Sequence, residues 1–447
     1  MPAGLTHRVL VLVSLLGFLW TVPELVSVRP ASPTMEAQMF SLALKKGPTA
    51  RQLQQKEHAL SVVRKVAESR WSNHDVEVIP FGSSVTGLGE GSSDVDVVLF
   101  FPNGGPPPLE ALRGLKQKLE RQPDTKVLQS LLREKMKIPL LRLLIQGVQC
   151  DLTCQNVLPV FNTVLLRGYG SLCPKLNVLA IVIKRWAKKC RIGEVQNGFI
   201  SSYTWTLMMI YYLQVCHGLP SLHVLSPHQA LHRTPKNKTF AFGFLSTENR
   251  QKVRTPLNDL LRGFYEFYSE HFDWEYEVVS VRLGRRLSCK DSEFRLLPRK
   301  HLKAPRKKPK GPGIPLKTEG YPNILKVEDP IEISRNLNFA LIPRTCDKIR
   351  SSIAAAFKSF QGPEEALLGD LTGLKRLKGT SERPQIRRFL RHRLPPGRSA
   401  TAIVKNATDG GAVGCLECFR WMPNLDALEQ HFLVTNHSGI LEKVSGI

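Results

Sequence analysis

Residues 76–100 contain two short runs with the composition of β-strands, VEVIPF and VDVVLF, on either side of a loop rich in glycine and serine. Two aspartates, Asp94 and Asp96, stand at the start of the second run and are separated by one valine. Because side chains alternate along a strand, both carboxylates should point to one face while Val95 and Val97 enter the core behind them. The segment therefore predicts a β-sheet with a pair of carboxylates at one edge.

This pair of carboxylates suggests a metal site that works on phosphates. Carboxylate oxygens select Mg²⁺ or Mn²⁺, and these ions complete their coordination shells with phosphate oxygens. Gly82 and Ser83 precede the pair, where a backbone without a Cβ and a hydroxyl can approach a triphosphate. A two-metal centre benefits from a third carboxylate. Asp151 is the candidate, in a strand-like run where Cys150 and Leu152 would face inward. The alternative is a tight loop between two strands, with aspartates that lie at the end of a surface strand and bind no metal.

The remaining patterns predict an α/β domain followed by a mostly helical one. Helical spacing runs over 35–71 with a break near Gly47 and Pro48, and a charged helix is predicted over about 109–134. Paired strands follow in LLRLLIQGVQCDLTC, and helical spacing returns in LNVLAIVIKRWAKKC and SSYTWTLMMIYYLQ. The predicted divisions are 1–34 as a targeting or disordered segment, 35–160 as the catalytic domain, 161–360 as the helical domain with a basic, proline-rich insert at 285–313, 361–410 as a basic linker and 411–440 as a small terminal domain.

Charge and cysteine usage narrow the class of partner and the compartment. The 447 residues carry a formal net charge of +25, which favours nucleic acid as the partner, although a merely soluble basic protein is the alternative. The nine cysteines lack the spacing of a disulfide framework, which favours a reducing compartment.

The N-terminal segment has the pattern of a targeting sequence. Arg8 precedes an apolar run from Val9 to Trp20 that is too short to span a bilayer comfortably. We predict mitochondrial import, and no stable membrane span in the mature protein. A secretory signal, a membrane anchor or a start-site artefact remains open, as does a cytoplasmic or nuclear location.

The C-terminal region contains four residues with the spacing of a zinc site, C-x2-C-x12-H-x5-H. These residues are Cys415, Cys418, His431 and His437. Val413, Met422 and Leu428 fall where a ββα finger buries its few core residues. We predict a structural Zn²⁺ because four protein ligands leave no open position for catalysis. Its contact could be with structured RNA, DNA or protein.

Five segments, in order, resemble the poly(A) polymerase and terminal uridylyltransferase family of the DNA polymerase β-like nucleotidyltransferase superfamily. They are FGSSVTGLGEGSSDVDVVL, CDLTCQNVLPVFNT, IKRWAKK with ISSYTWTLMMIYYLQ, LLRGFYEFYSEHFDWEYEVVSVRLG, and VEDPIEISRNL. The resemblance covers roughly residues 76–340. It implies an α+β fold in which a polymerase β-like α/β domain is joined to a helical PAP-associated domain, with the zinc finger added at the C-terminus.

The resemblance also implies a role for individual residues. Asp94 and Asp96 would bind both metal ions, and Asp151 would lie nearest the RNA 3′ hydroxyl. The implied nucleotide contacts are Gly82, Ser83 and Ser202 at phosphate, Lys184 and Lys188 at phosphate, Asn162 at the ribose with Thr163 close by, and Tyr203 stacked on the base. For three of these contacts a structural role stays open: an exposed helix face for the two lysines, a helix cap for Asn162, and a core position for Tyr203.

Base choice would depend on the last segment. Among the family members that the sequence resembles, acidic residues matching Asp329 and Glu332 help to read uracil, and a histidine one turn later excludes adenine. This chain has Arg335 there, whereas members that add adenylate often have a smaller amide. A bulky arginine favours UTP over ATP. The alternative is that Glu332 merely pairs with Arg335 on a helical turn.

The sequence thus predicts a template-independent enzyme that adds UMP to the 3′ end of single-stranded RNA. An RNA-processing complex is a predicted partner. Addition of AMP from ATP is the nearest alternative. A catalytically inactive RNA-binding or scaffold subunit and a synthase of nucleotide second messengers are the alternatives from other classes.

Overall fold

The structure is a computed structural model, and its architecture follows from two hydrophobic cores. It describes residues 35–134, 136, 138–226, 230–233, 239–242, 253–291, 324–361, 364–373, 413–414 and 421–422.

The first core lies behind a five-stranded mixed sheet. Its strands are β1 (Glu77–Phe81), β2 (Val95–Phe100), β3 (Thr125–Leu131), β4 (Leu140–Ile145) and β5 (Val148–Cys154), in the spatial order β1-β2-β5-β4-β3. Only β2 and β5 pair in parallel, while the other neighbouring strands are antiparallel. The helices α2 (Ala50–Arg70) and α4 (Pro108–Leu119) cover one face. Their apolar residues pack on inward-facing positions such as Val97 and Leu152, so the opposite face is left for polar side chains.

The helix predicted over about 109–134 is shorter than expected. It ends at Leu119, and the second half of the predicted span forms the edge strand β3. Pro123 cannot continue a helix, and Asp124 adopts a left-handed φ of 56°, so the chain turns before the β-branched residues of β3. By contrast, the predicted break near Gly47 and Pro48 is confirmed, because α2 starts anew with a capping box between Thr49 and Gln52.

The second core is helical and larger. It is built by α5 (Leu158–Leu172), α6 (Pro174–Lys189), α7 (Ser202–His217), α8 (Leu257–Glu266), α9 (Pro343–Ser359) and α10 (Glu364–Thr372). A π-helical turn, Phe267–His271, extends α8, and Trp186 on α6 packs edge-on against Trp205 on α7 at 5.2 Å. The first helix, α1 (Met35–Lys46), contributes Met39 and Leu42 to this core and not to the sheet core. The chain therefore enters the helical domain before it enters the sheet domain.

Short strands complete the helical domain. The strands β6 (Ala230–Arg233) and β7 (Thr239–Phe242) form a hairpin, and β8 (Val278–Val279) pairs in parallel with β9 (Lys326–Val327). The start of the insert predicted at 285–313 is packed, because Arg286 forms an ion pair with Glu277 (Nη2–Oε2, 2.6 Å). Residues 292–313 of that insert lie outside the described residues.

At the C-terminus the structure describes only one pair of short strands. β10 (Val413–Gly414) pairs antiparallel with β11 (Trp421–Met422). The four predicted zinc ligands, the basic linker from residue 374 onwards and the N-terminal segment 1–34 lie outside the described residues. Within the described ranges, no helix combines the length and the apolar character needed to cross a membrane.

Candidate active site

The three predicted catalytic carboxylates converge on the open face of the sheet. Asp96 on β2 is the direct Cα partner of Asp151 on the parallel strand β5, and Asp94 stands just before β2. The predicted alternation is confirmed, since Val95, Val97, Cys150 and Leu152 are at most 1% exposed on the opposite side. The start of α5 covers the far end of this face at Val98 and Phe100. These contacts do not cover the end of the face that carries the aspartates.

Burial and repulsion from neighbouring carboxylates disfavour the charged forms of Asp94 and Asp96. Burial, followed by the charges of Asp151 and Asp94, raises the pKa of Asp96 to about 7. The pKa of Asp94 is also raised, first by burial and then by Asp151, while Arg142 and Lys56 oppose the shift. A cation among the three would relieve this repulsion.

Two neighbouring side chains hold the carboxylates in their present positions. Arg142 on β4 donates to both oxygens of Asp151, from Nε to Oδ1 at 2.8 Å and from Nη2 to Oδ2 at 2.6 Å. Gln149 Nε2 donates to Asp94 Oδ2 at 2.6 Å and to Asp151 Oδ1 at 3.4 Å. Across the described ranges, no three His, Cys, Asp or Glu side chains are gathered closely enough to hold a metal ion. The donors nevertheless fit Mg²⁺ or Mn²⁺ chemically, because they are three carboxylates on adjoining strands of one sheet face.

The glycine loop closes directly over Asp96. Gly82 has a φ of 77°, and a Cβ built there would lie 2.3 Å from Asp96 Oδ2. Its amide donates to Thr163 Oγ1 on α5 at 2.8 Å, and the Thr163 hydroxyl donates in turn to Pro159 O at 2.7 Å. Only glycine leaves room for this approach. Thr163 thus fixes the loop and does not present a free hydroxyl to a ribose. Ser83, half-buried, is the first residue of the short helix α3 (Ser83–Thr86) that follows.

A second set of contacts joins the glycine loop to α6. Lys184 Nζ donates to Leu88 O at 2.9 Å, and Arg185 Nη2 pairs with Glu90 Oε2 at 2.7 Å. Lys184 is half-buried, whereas Lys188, one turn later, is exposed. The alternative of an exposed helix face therefore applies only to Lys188.

Two predicted nucleotide contacts carry buried polar atoms with no partner. Asn162 lies in the second turn of α5, which starts at Leu158, so it is not a helix cap. Within the described part of the chain, Asn162 Oδ1 and the Tyr203 hydroxyl are buried and accept or donate no hydrogen bond. Such groups are expected to find a partner in a ligand or water. The neighbouring Ser202 is exposed, since the cap of α7 is supplied by Ser201, whose Oγ accepts from Thr204 N at 3.1 Å.

The loop predicted to select the base lies beside Tyr203. Burial raises the pKa of Tyr203 well above its ordinary value, Asp329 raises it further, and Arg335 opposes them. Asp329 is 2% exposed, and its Oδ1 accepts from Ile331 N at 3.0 Å and from Glu332 N at 3.1 Å. Burial raises its pKa to about 6.

Arg335 is held by Asp329 and not by the side chain of Glu332. Its Nη1 lies 3.8 Å from Asp329 Oδ2, and its guanidinium lies 5.9 Å from the ring centre of Phe339. The contact of Arg335 with Glu332 is between backbones, from Arg335 N to Glu332 O at 2.7 Å. Glu332 is itself buried, at 8% exposure. The base-reading candidates therefore form one packed loop next to Tyr203.

Three residues of the site are absent from the sequence-based set. They are Lys56, Arg142 and Gln149. Lys56 belongs to α2, far from the strands in sequence, and nothing in its pattern distinguishes it from a surface lysine. Arg142 and Gln149 share the polar alternation of β4 and β5 with Asp151, so pairing the two strands in register would have found them.

The chain matches two family models. One, described as poly(A) RNA polymerase, mitochondrial-like, central palm domain, covers residues 35–171, and the other, described as Cid1 family poly A polymerase, covers residues 256–335. Among curated proteins, poly(A) RNA polymerase GLD2-A of Xenopus laevis is 35% identical over 225 residues, which are 47% of this chain and 42% of that protein. Terminal uridylyltransferase cid1 of Schizosaccharomyces pombe is 27% identical over 299 residues, which are 63% of this chain and 68% of that protein. The chain thus spans less than half the length of the GLD2 relative.

Solved structures show a similar fold. A Cid1 poly(U) polymerase with bound MgGTP superposes with a TM-score of 0.61 at 23% identity and covers 75% of this chain and 98% of its own. A cytoplasmic RNA terminal U-transferase has a TM-score of 0.60 at 24% identity and covers 76% and 97%. At these identities the likeness concerns the fold alone. Together, the family models, the curated relatives and the solved structures show that this chain is similar to poly(A) and poly(U) polymerases.

Proposed function

We propose that the chain is a template-independent RNA 3′-terminal nucleotidyltransferase that adds UMP from UTP. The observation that carries this proposal is the pairing of Asp96 with Asp151 on adjacent parallel strands. The glycine loop lies so close to Asp96 that residue 82 must lack a side chain. Carboxylates on one sheet edge beside an approachable backbone suit the transfer of a phosphoryl group from a triphosphate. Retention of all three aspartates opposes the inactive scaffold, and the EDP and SSY segments oppose a second-messenger synthase.

In this proposal Asp94, Asp96 and Asp151 hold two Mg²⁺ or Mn²⁺ ions. When bound, such ions lower the pKa of the attacking hydroxyl and stabilise the departing pyrophosphate. Asp151 orients the RNA 3′ hydroxyl for in-line attack on the α-phosphate. No covalent intermediate with the protein is needed.

The other predicted residues position the nucleotide. Asn162 Oδ1 is free to accept a hydrogen bond from the ribose, and the Tyr203 ring offers a stacking surface worth roughly 1–3 kcal/mol per base. The triphosphate would lie against Ser83, Ser202 and the two lysines, Lys184 and Lys188. Lys184 would then exchange its present bond to Leu88 O for phosphate. Thr163 acts indirectly, through Gly82.

The proposed preference for UTP depends on the loop around Asp329. A buried carboxylate with one oxygen turned toward Arg335 can accept from the N3–H of uracil, while Arg335 narrows the space for a purine. ATP is the second candidate. The observation that favours it is the higher identity to a poly(A) RNA polymerase, 35%, than to a terminal uridylyltransferase, 27%.

We also propose a zinc finger and a location, both from the sequence. The antiparallel pairing of Val413–Gly414 with Trp421–Met422 is the arrangement that the hairpin of a ββα finger needs, and this supports a Zn²⁺ site that recruits RNA. Mitochondrial import stays a prediction from the N-terminal pattern. Its test is the location of the full-length chain and of a variant lacking residues 1–34.

The test of the activity is extension of a 5′-labelled single-stranded RNA with Mg²⁺ and each nucleoside triphosphate in turn. We expect extension with UTP in preference to ATP, and a shift toward ATP in Arg335→Asn. Asp94→Ala and Asp96→Ala should abolish extension while RNA binding is retained. If the wild-type protein binds the RNA but extends it with no nucleotide, the enzyme assignment is wrong. Selective extension with ATP would overturn the preference for UTP alone.

A further inference from the structure

Asp151 is already fully engaged by a cationic side chain. The Nε and Nη2 atoms of Arg142 form a two-pronged hydrogen bond with its two carboxylate oxygens, at 2.8 and 2.6 Å. The pair is partly buried, with side-chain exposures of 34% for Arg142 and 13% for Asp151. Two-pronged pairs between arginine and a carboxylate are among the strongest polar contacts in proteins. This contact uses one acceptor site on each oxygen of Asp151 and fixes the orientation of its carboxylate.

The sheet register also brings Arg142 next to a residue of the edge strand. Arg142 on β4 has Asp151 as its Cα partner on β5 and Gln129 as its Cα partner on β3. Its Nη1 already lies 3.3 Å from Gln129 Oε1. The same guanidinium thus has a second partner, on the edge strand, that does not depend on Asp151.

The surrounding charge explains why an arginine occupies this place. Asp94 and Asp96 lie on the same face as Asp151, and each raises the pKa of Arg142, after the larger effect of its hydrogen bond to Asp151. In the protein without metal, a fixed positive group at this point offsets the repulsion among three carboxylates. Arg142 therefore supplies the charge that a divalent cation would supply at the same carboxylates.

We propose that Arg142 is a positioning residue that holds Asp151 in the metal-free enzyme and must release it before Asp151 can bind a divalent cation. The inference rests on the proposed function, since it assumes that the three aspartates bind such a cation. It predicts competition between the guanidinium and the cation for one carboxylate. By reciprocity, removal of Arg142 strengthens cation binding as much as the cation weakens the ion pair.

The test measures Mn²⁺ alone, without RNA or nucleotide, by the loss of the free Mn²⁺ signal in electron paramagnetic resonance. The full-length chain is compared with Arg142→Gln, and Asp96→Asn defines which binding belongs to this site. We expect Arg142→Gln to bind Mn²⁺ at least about fivefold more tightly than wild type. Arg142→Lys keeps a charge but lacks the planar fork, so its affinity should fall between the two. This variant keeps the test valid if Arg142→Gln does not fold.

The matched control is Arg286→Gln. Arg286 makes the same two-pronged contact with Glu277, at 3.0 and 2.6 Å, in the helical domain. Its loss should lower the melting temperature equally with and without Mn²⁺ and leave Mn²⁺ affinity unchanged. For Arg142→Gln we expect the melting temperature to fall without Mn²⁺ and to approach that of wild type at saturating Mn²⁺, because the loaded wild-type protein has also lost the contact.

The outcomes separate this inference from the assigned activity. If Arg142 instead orients Asp151 in the loaded site, its removal should weaken Mn²⁺ binding by about 10–100-fold, which would overturn the inference. Unchanged affinity would overturn it as well, and either result leaves the nucleotidyltransferase assignment intact. If wild type and Asp96→Asn bind Mn²⁺ equally, the carboxylates bind no cation, and both the inference and the two-metal proposal are wrong.

Discussion

Gly82 and Asp96 are in such close contact that residue 82 has no space for a side chain. A Cβ at this position would stand 2.3 Å from Asp96 Oδ2, and the backbone φ of 77° is one that glycine adopts readily. The contact joins the loop expected to face the triphosphate to a carboxylate expected to bind metal. A change at either residue should therefore affect both functions.

The first prediction concerns Gly82→Ala. The added methyl group must displace Asp96, and a displacement of about 1 Å at a reacting centre costs on the order of 100-fold in rate. Gly104→Ala is the matched control, because Gly104 also has a left-handed φ, 86°, but its Cβ would meet no atom within 4 Å. Both variants should lose about 1 kcal/mol of stability from the left-handed φ, Gly82→Ala should lose more because of the clash with Asp96, and only Gly82→Ala should lose RNA extension. Equal loss of activity in the two variants would show that the contact with Asp96 is irrelevant.

A second prediction separates two adjacent residues of α5. Asn162→Ala should reduce discrimination between UTP and 2′-deoxy-UTP by about tenfold, the effect of one hydrogen bond of about 1.4 kcal/mol. Thr163→Val should lower the rate with both nucleotides and leave their ratio unchanged, because the Thr163 hydroxyl is bonded to Gly82 N and Pro159 O. The measurement is the ratio of the two kcat/KM values. A changed ratio in Thr163→Val would instead indicate that the Thr163 hydroxyl contacts the ribose.

The unpartnered hydroxyl of Tyr203 leads to a third prediction. Tyr203→Phe should leave the melting temperature of the free protein unchanged or slightly raised, since no hydrogen bond is lost. Affinity for UTP, measured by calorimetry, should nevertheless fall severalfold if the nucleotide supplies the missing partner. The comparison is Tyr169→Phe, because the Tyr169 hydroxyl accepts from Leu222 N and from Gln214 Nε2, both at 3.0 Å. That change should destabilise the free protein, and unaltered UTP affinity in Tyr203→Phe would contradict the nucleotide role.

The fourth prediction is a pH dependence of stability. Burial is the main reason that the pKa of His223 falls from an ordinary value of 6.5 to about 3, and Arg282 adds to the shift. Between these values the unfolded chain binds a proton that the folded protein does not, so this contribution to stability is lost as the pH falls from about 6.5 toward 3. From pH 7 to pH 5 the loss should be about 2 kcal/mol.

His223→Gln isolates this effect, because glutamine does not titrate. Urea unfolding of both proteins at pH 7 and pH 5 should show that the wild-type protein loses about 2 kcal/mol more than the variant. Parallel losses in the two proteins would mean that His223 is charged in the folded state. The base-selecting loop should respond as well, because the His223 ring lies beside the backbone of Pro330.

The fifth prediction concerns the C-terminal cysteines. The purified chain should contain one Zn²⁺, measured by elemental analysis, and Cys415→Ser should remove it and weaken RNA binding while the helical domain keeps its melting temperature. Cys216→Ser is the control, since Cys216 is an exposed free thiol on α7. Zinc retained by Cys415→Ser would exclude the predicted ligand set.

Local patterns correctly predicted the strands around the aspartates and which side chains lie on each face of the sheet. The alternation around Asp96 and Asp151 correctly placed the neighbouring apolar residues in the core, because one buried face determines the register of a strand. The prediction of a helix extending to residue 134 was wrong. The charged residues of this segment suggested a continuous helix, although Pro123 indicates that the helix ends before it. Helix spacing alone also did not show that Asn162 lies within α5 and not at its cap.

The contacts that organise the site join residues far apart in the sequence. Thr163 reaches Gly82 over 81 positions, and Lys184 reaches Leu88 over 96. Such pairs follow from how two domains pack, which no local pattern contains. Arg142 and Asp151 are only nine positions apart, but their contact needs the exact pairing of β4 with β5.

The early packing of α1 also has a mechanical consequence. Within the described ranges the chain passes from the helical core to the sheet at residues 47–49 and returns at residues 155–157, and between these crossings Leu88 of the glycine loop also packs in the helical core. Each of these attachments restrains rotation of the sheet against the helical core. The glycine loop, which touches both Asp96 and α6, is therefore expected to move together with the helical core.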